Sequence, residues 1–152
     1  MKKNIKKLVC VILAMLLVFS CTIPAMAQET ATAEASVTPR LSHCGRCVIS
    51  FSIDDPGVAT VSVRYDGYPD TFVQAKVTVQ IQKKFLGLFW RTVDIGYAND
   101  KWVAYSNEVY GSFSNTFSVD GTGTYRANIT VEITGTDGTV DVIEDTIERK
   151  YS

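Results

Sequence analysis

The sequence predicts an all-β fold, an antiparallel sandwich of about eight strands that follows a signal peptide. From residue 46 onward, apolar and polar residues alternate with a period of two, as in strands with one dry and one wet face. Turn-forming residues recur at short, regular intervals, which is typical of sandwiches and barrels. Thr, Val, Ile and aromatic residues are frequent, and they favour strands over helices.

The first 27 residues have the features of a secretory signal peptide. Four lysines precede an apolar run over 8–19, and a small-x-small cleavage triplet ends at Ala27. The apolar run is shorter than the roughly 20 residues that a membrane span needs. An uncleaved anchor and a lipid on Cys21 are the alternatives. We therefore expect a secreted, extracellular product that meets a membrane only through the signal segment or through a lipid on Cys21.

Cleavage after Ala27 changes the charge of the chain. The product keeps all 16 acidic residues but only 11 of the 15 basic ones, which gives a net charge of −5. Such a surface is expected to attract neither nucleic acid nor anionic lipid. Residues 28–45 begin with a polar, alanine-rich stretch and are expected to form a flexible leader. The domain proper is expected over 46–152, which is long enough to bury a core.

The alternation places the strands in order along this domain. The third strand is the clearest, because Val73, Ala75, Val77, Val79 and Ile81 alternate with polar residues. Acidic, Gly- and Pro-containing segments between the strands are typical of turns. The expected strands are 46–53, 58–65, 71–83, one that starts after a turn at Gly87 and runs through Ile95, 101–110, 112–119, 125–133 and 139–147.

The loop before Tyr125 points to a particular kind of sandwich. Asp120, Gly123 and Tyr125 resemble the tyrosine corner of immunoglobulin-like domains, in which a tyrosine hydroxyl ties a strand to the backbone just upstream. Ala127 stands where antibody domains carry the second disulfide cysteine. The resemblance implies an Ig-like or fibronectin-like sandwich without that disulfide. Trp90 is then the candidate for the buried core tryptophan.

A second resemblance covers residues 70–150. The strand at 77–84 leading to Trp90, the Gly-Thr-Tyr-Arg segment at 123–126 and the signal peptide resemble a group of small secreted proteins of clostridial and related Gram-positive bacteria. This resemblance implies export but no particular activity.

Cys44 and Cys47, with His43 before them, form the most chemically suggestive cluster. A redox pair is favoured at a helix N-terminus, whereas this motif leads into a strand. Zinc needs about four ligands, more than this cluster offers. In an extended strand, residues three apart are roughly 10 Å apart, so a local disulfide requires a turn at Gly45-Arg46. For an exported chain we expect that disulfide, with free thiols as the alternative.

Catalytic and metal sites are not expected. Paired carboxylates can catalyse hydrolysis, but aspartates in turns ordinarily accept hydrogen bonds from backbone amides. A Ser-His-Asp triad would need His43, the single histidine, in a segment expected to be mobile. Calcium would need Asp54-Asp55, or Asp120 with Asp137, to meet at the ends of the sandwich. We expect no catalytic residue, no cofactor and no metal. The turn aspartates considered are Asp54, Asp55, Asp66, Asp70, Asp94 and Asp100.

Phe85, Leu88, Phe89 and Trp90 are the candidate binding surface. A hairpin tip at Gly87 would expose these side chains, and an exposed apolar patch marks a binding site. Burial of Phe85, Leu88 and Trp90 in the core is the alternative that the general behaviour of such residues favours. Aromatic rings at 90, 97 and 102 are candidates for stacking on a sugar.

Together these features predict a secreted, non-catalytic module that binds an extracellular protein or glycan and no nucleic acid. A membrane-anchored surface lipoprotein or adhesion subunit, with Cys21 as the anchor, is one alternative. A glycan-active enzyme is another.

Overall fold

The computed structural model describes residues 41–152. The signal peptide expected over 1–27, with Cys21, lies outside the described residues, as do residues 28–40. No helix within 41–152 is long and apolar enough to cross a membrane. Eight strands and one short 3₁₀ turn at Ala98–Asp100 follow in order. The strands are β1 (Cys44–Asp54), β2 (Val58–Gly67), β3 (Phe72–Phe85), β4 (Phe89–Thr92), β5 (Trp102–Ser106), β6 (Tyr110–Ser118), β7 (Gly123–Gly135) and β8 (Val140–Tyr151).

The strands form two antiparallel sheets that share one core. The smaller sheet has the order β1-β2-β6. The larger has the order β4-β3-β7-β8, and β5 pairs with β3 as well. The prediction of an all-β, antiparallel sandwich with about eight strands is confirmed.

The core follows from the alternation along the central strands. Every second residue of β3 and β7 faces inward and is fully or almost fully buried. The smaller sheet contributes aromatic and β-branched side chains that fill the space between the sheets. These inward residues are Ala75, Val77, Val79 and Ile81 of β3, Ala127, Ile129, Val131 and Ile133 of β7, and Phe51, Val61, Val63, Phe113 and Phe117 of the smaller sheet.

Two expected strands end differently. The strand expected over 101–110 is divided, because β5 pairs with β3 in the larger sheet and β6 pairs with β2 in the smaller one. The chain therefore changes sheets between Ser106 and Tyr110. The last strand continues to Tyr151, where it pairs with Gly123 at the start of β7.

The folded domain begins before residue 46, within the segment that was expected to be a flexible leader. The backbone amides of Ser42 and His43 donate hydrogen bonds to the Asp141 carboxylate, at 3.0 and 2.6 Å. The His43 side chain is only 3% exposed, and β1 starts at Cys44. The expectation of a flexible leader is therefore wrong for its last residues, 41–45. Bonds to the distant strand β8 hold them, and local composition gives no sign of such bonds.

The contact expected at Tyr125 is present. Its side chain is fully buried, and its hydroxyl lies 2.6 Å from the Asp120 carbonyl oxygen and 2.7 Å from that of Gly121. The expected role of Trp90 is wrong, because Trp90 pairs with Lys84 in the part of the β3–β4 hairpin that continues past the core. Trp102 packs against the core instead, edge-on to Phe117 at 6.0 Å.

Replacing Tyr125 by Phe tests the corner. The buried ring stays in place while the hydroxyl hydrogen bond is lost, so we expect the free energy of unfolding to fall by about 1 kcal/mol. Tyr105, which is 61% exposed, provides the control, and Tyr105→Phe is expected to leave stability unchanged. Urea denaturation measures both variants. Equal stability of Tyr125→Phe and the unmodified protein would show that the corner contributes nothing.

Candidate binding surface

A tight turn joins β3 to β4. Phe85 and Phe89 face each other as the last pair of the hairpin, and the Leu88 amide donates to the Phe85 carbonyl oxygen at 3.1 Å. Leu86 and Gly87, between them, both have positive φ, at 51° and 70°. Two such residues define a type I′ turn, which suits the twist of a hairpin. Glycine adopts this conformation freely, whereas leucine is strained in it.

The hairpin ends in an exposed group of large apolar side chains, which we term the apolar tip. Its members are Phe85, Leu86, Leu88 and Phe89, exposed by 40%, 74%, 74% and 62%. The last pair between β3 and β7 is Lys83 with Tyr125, so the hairpin continues past the end of that pairing. Burial of Phe85, Leu88 and Trp90 in the core, which sequence reasoning favours, is therefore wrong. The alternative of an exposed hairpin tip is the one observed.

Basic side chains surround the base of the tip on both faces of the hairpin. On one face, Lys84 Nζ lies 5.3 Å and the Arg126 guanidinium carbon 4.3 Å from the centre of the Trp90 ring. On the other, the Arg91 guanidinium carbon lies 3.8 Å from the centre of the Phe85 ring. Such cation–π contacts hold the charges beside the aromatic rings.

Lys83 completes this basic collar, which we define as Lys83, Lys84, Arg91 and Arg126. Its ammonium group donates to the Asp120 carbonyl oxygen at 2.6 Å and lies 5.1 Å from the centre of the Tyr125 ring. Sequence analysis did not identify Leu86 or the collar as functional. The available signal was the position of Lys83-Lys84 directly before the apolar segment and of Arg91 directly after it.

The three aromatic rings considered for sugar stacking do not form one platform. Trp102 and Tyr97 both contact Phe117, at 6.0 and 6.3 Å between ring centres. Trp90 instead lies on the hairpin, between Lys84 and Arg126. Trp90 alone belongs to the candidate surface.

A shallow hollow of about 320 Å³ lies on the smaller sheet. It is polar, and its two arginines come from the neighbouring strands β1 and β2, where Asp66 is the register partner of Arg46. The hollow is lined by Arg46, Arg64, Asp66, Tyr110, Gly111 and Ser112. It is a second place where a polar ligand fits.

Cys44 and Cys47 are both free, so the expected local disulfide is wrong. The disulfide needed a turn at Gly45-Arg46, but this segment is a strand with a register irregularity, and Arg46 pairs with Asp66. Cys44 Sγ instead donates to the Arg46 carbonyl oxygen at 3.0 Å. Burial raises the pKa of Cys47 to about 12, with smaller contributions from the neighbouring Cys44 and Asp145, and burial also raises the pKa of the Cys44 thiol. Both thiols are therefore protonated at neutral pH.

His43 does not form a catalytic triad. Its Nε2 lies 2.7 Å from Thr139 Oγ1, and that hydroxyl donates to Asp137 Oδ1 at 2.7 Å. Because the hydroxyl has one proton, Nε2 must donate to it, and the basic lone pair of a neutral ring then lies on Nδ1. His43 Nδ1 is buried without a hydrogen-bond partner, so the basic nitrogen contacts no nucleophile and no triad is formed.

The aspartates serve mainly as turn residues. Asp94 accepts from the Gly96 amide at 2.9 Å. Asp137 accepts from the Thr139 amide and hydroxyl, and these hydrogen bonds lower the pKa of Asp137. The calcium pairing considered for Asp120 with Asp137 is wrong, since they lie at opposite ends of β7. Within residues 41–152, no group of three or more His, Cys, Asp or Glu side chains is placed to hold a metal ion.

Thiol labelling tests the buried cysteine pair. We expect iodoacetamide at about pH 8 to label the folded protein at least about tenfold more slowly than the unfolded one, because little thiolate forms at Cys47. After unfolding without a reductant, both thiols are expected to react, as measured by intact mass. Failure to label the unfolded protein would reveal a disulfide.

The raised pKa of Cys47 also predicts a pH dependence of stability. An ordinary thiol loses its proton near pH 9.0, while folded Cys47 keeps it until about pH 12. The unfolded state thus binds fewer protons in this window, and stability falls as pH rises from about 9 to 12. Cys47→Ala is expected to flatten this decline in urea titrations at several pH values. An equally steep decline in that variant contradicts the assignment.

No protein-family model matches the chain, and no curated protein matches its sequence. Its function is therefore inferred from its own residues.

Proposed function

We propose that this protein is a secreted, non-catalytic, Ig-like β-sandwich module that binds an extracellular partner through the apolar tip. The observation that carries the proposal is the exposure of four large apolar side chains on one hairpin. Apolar residues clustered on a surface, rather than scattered singly, mark an interaction site.

The backbone at Leu86 supports a binding role. A leucine at φ 51° is strained, and the side chain gains nothing from packing because it is 74% exposed. Asparagine or glycine would satisfy the same turn with less strain. Leu86 therefore lowers the stability of the free domain, and contact with a partner is a physical reason for its presence.

The remaining parts of the proposal rest on separate observations. The features of residues 1–27 support export. The bond from the Tyr125 hydroxyl to the Asp120 carbonyl oxygen supports the Ig-like class. A surface lipoprotein attached through Cys21 remains the first alternative, and intact mass distinguishes it by the added acyl chains. A glycan-active enzyme is the second, and detectable turnover on a panel of glycans would establish it.

A cell-binding assay tests the role of the tip. The exported protein carries a fluorescent label and is titrated onto cells of the producing species. The variant Leu86→Asn/Leu88→Ser is expected to lower apparent affinity at least about tenfold, because it removes two leucines that become buried when the partner binds. Its melting temperature is expected to be equal or higher, since Asn tolerates positive φ.

The matched control is Tyr105→Ser, which removes an exposed ring from β5, away from the hairpin. We expect it to bind as the unmodified protein does. Equal losses in both variants, or no loss in the tip variant, would overturn the tip as the binding surface. A glycan array measured alongside identifies a sugar ligand, for which the hollow at Arg46 and Arg64 is the competing site.

A further inference from the structure

We infer that the apolar tip and the basic collar together form a docking site for an anionic lipid surface. The inference rests on the proposed function, since it uses the same surface, and it adds the chemical class of the partner. Apolar side chains would enter the boundary between headgroups and acyl chains, while the collar would remain among the phosphates.

The shape of the tip favours a bilayer over a folded protein as the partner. The four apolar side chains stand at the end of a two-stranded hairpin, where a turn of two positive-φ residues reverses the chain. A stable protein interface needs roughly 800 Å² from each partner, usually from a broad complementary surface. A bilayer boundary accepts a small protruding apolar group without a preformed groove.

The collar lies at the depth that such insertion requires. Lys84 and Lys83 precede Phe85 by one and two residues, and Arg91 follows Phe89 by two. At about 3.3 Å per residue, their backbones lie roughly 3–7 Å behind the tip. An inserted apolar face typically reaches about 5–10 Å below the headgroups. The cations are thus placed beside lipid phosphates when the tip is buried.

Trp90 stands at the same level as the collar. Its ring is partly buried and lies between Lys84 and Arg126. Tryptophan is enriched at membrane interfaces, because its ring is apolar and its N–H needs a polar partner. Trp90 therefore extends the apolar tip into the interfacial layer.

The charges of the collar remain available for a partner. Within residues 41–152, Lys76 forms an ion pair with Glu132, and His43 Nε2 lies 3.4 Å from Asp137 Oδ1; neither contact involves the collar. Lys83 donates to the Asp120 backbone oxygen. Because a carbonyl oxygen carries no formal charge, this hydrogen bond does not neutralise the ammonium group of Lys83. Glu148 is the register partner of Arg126 on β8, and Arg126 Nε donates to the neutral Gln82 Oε1 at 2.7 Å.

The net charge of −5 expected after cleavage does not oppose this contact. At physiological ionic strength, charges separated by more than about 8 Å are largely screened. Asp70 and Asp137 lie in turns at the opposite end of the sandwich. Asp55, beside Tyr151 at the end of β8, and Asp120, whose backbone oxygen binds Lys83, lie at the hairpin end and reduce the attraction, so the collar must act at contact distance. The net charge alone predicts no attraction to anionic lipid. The collar makes the hairpin an exception to that prediction.

Vesicle binding tests the inference. The exported protein, whose intact mass shows no acyl chain on Cys21, is sedimented with vesicles of phosphatidylcholine alone or mixed equally with phosphatidylglycerol. We expect at least about tenfold tighter binding to the mixed vesicles, weakening as salt rises above about 0.1 M. Brominated lipid is expected to quench Trp90 fluorescence in Trp102→Phe, which leaves Trp90 as the sole tryptophan.

Matched variants separate the two parts of the site. Lys84→Gln/Arg91→Gln is expected to weaken binding to mixed vesicles about 25-fold, at about fivefold for each charge. Leu86→Asn/Leu88→Ser is expected to weaken it at least about tenfold. Lys101→Gln removes one exposed charge outside the collar and is expected to change binding by less than about twofold.

The outcomes distinguish the two proposals. Absence of vesicle binding, or binding that ignores phosphatidylglycerol and both hairpin variants, overturns the lipid inference. If the tip variant loses cell binding while vesicles are not bound, the binding module stands and its partner is a protein or glycan. If the tip variant loses neither cell binding nor vesicle binding, both proposals fall.

Discussion

The antiparallel pairing of β3 with β7 is the interaction on which the rest of the structure depends. Both strands bury every second residue, and their inward aliphatic side chains form the side of the core that belongs to the larger sheet. A slip of one residue would turn Gln80 and Thr78 inward, so burial fixes the register. Because β3 continues directly into the hairpin, the same register determines where the apolar tip leaves the sandwich. The candidate surface is thus positioned by the most deeply buried part of the fold.

The hydroxyl contact of Tyr125 connects this core to the surface. Tyr125 and Lys83 are register partners, and the Tyr125 hydroxyl and the Lys83 ammonium group both bond to the Asp120 carbonyl oxygen. Gly123 leaves the room that Lys83 needs, since a Cβ there would lie 3.0 Å from Lys83 Cε. A contact that stabilises the loop before β7 therefore also holds one cation of the collar. The base of the hairpin is tied to the core through backbone atoms, which limits its motion relative to the sandwich.

Sequence patterns predicted those features of the fold that depend on local interactions. The alternation along β3 and β7 identified these strands and their inward residues, because burial on one face requires a period of two. The exposure of Phe85 to Trp90 depends instead on where β7 begins, which the segment itself does not encode. The prediction of a disulfide between Cys44 and Cys47 was wrong for a similar reason, because pairing with a distant strand determines the conformation of this segment. Arg46 pairs with Asp66 on the neighbouring strand, and this pairing keeps the segment from Cys44 to Cys47 extended. The same segment taken alone could form a turn.

The collar shows how pairing creates a charge pattern that composition conceals. Lys83 and Lys84 are adjacent in sequence but face opposite sides of β3, and their register partners across the hairpin are Arg91 and Trp90. Arg126 arrives from β7 through its pairing with Gln82. An acidic chain thereby gathers four cations around one hairpin, although Asp55 and Asp120 lie at the same end of the sandwich. Because these four cations are gathered at the hairpin, attraction to an anionic surface is strongest when the hairpin faces that surface. The position of the collar, and not the net charge of the domain, thus determines which part of the molecule an anionic surface attracts.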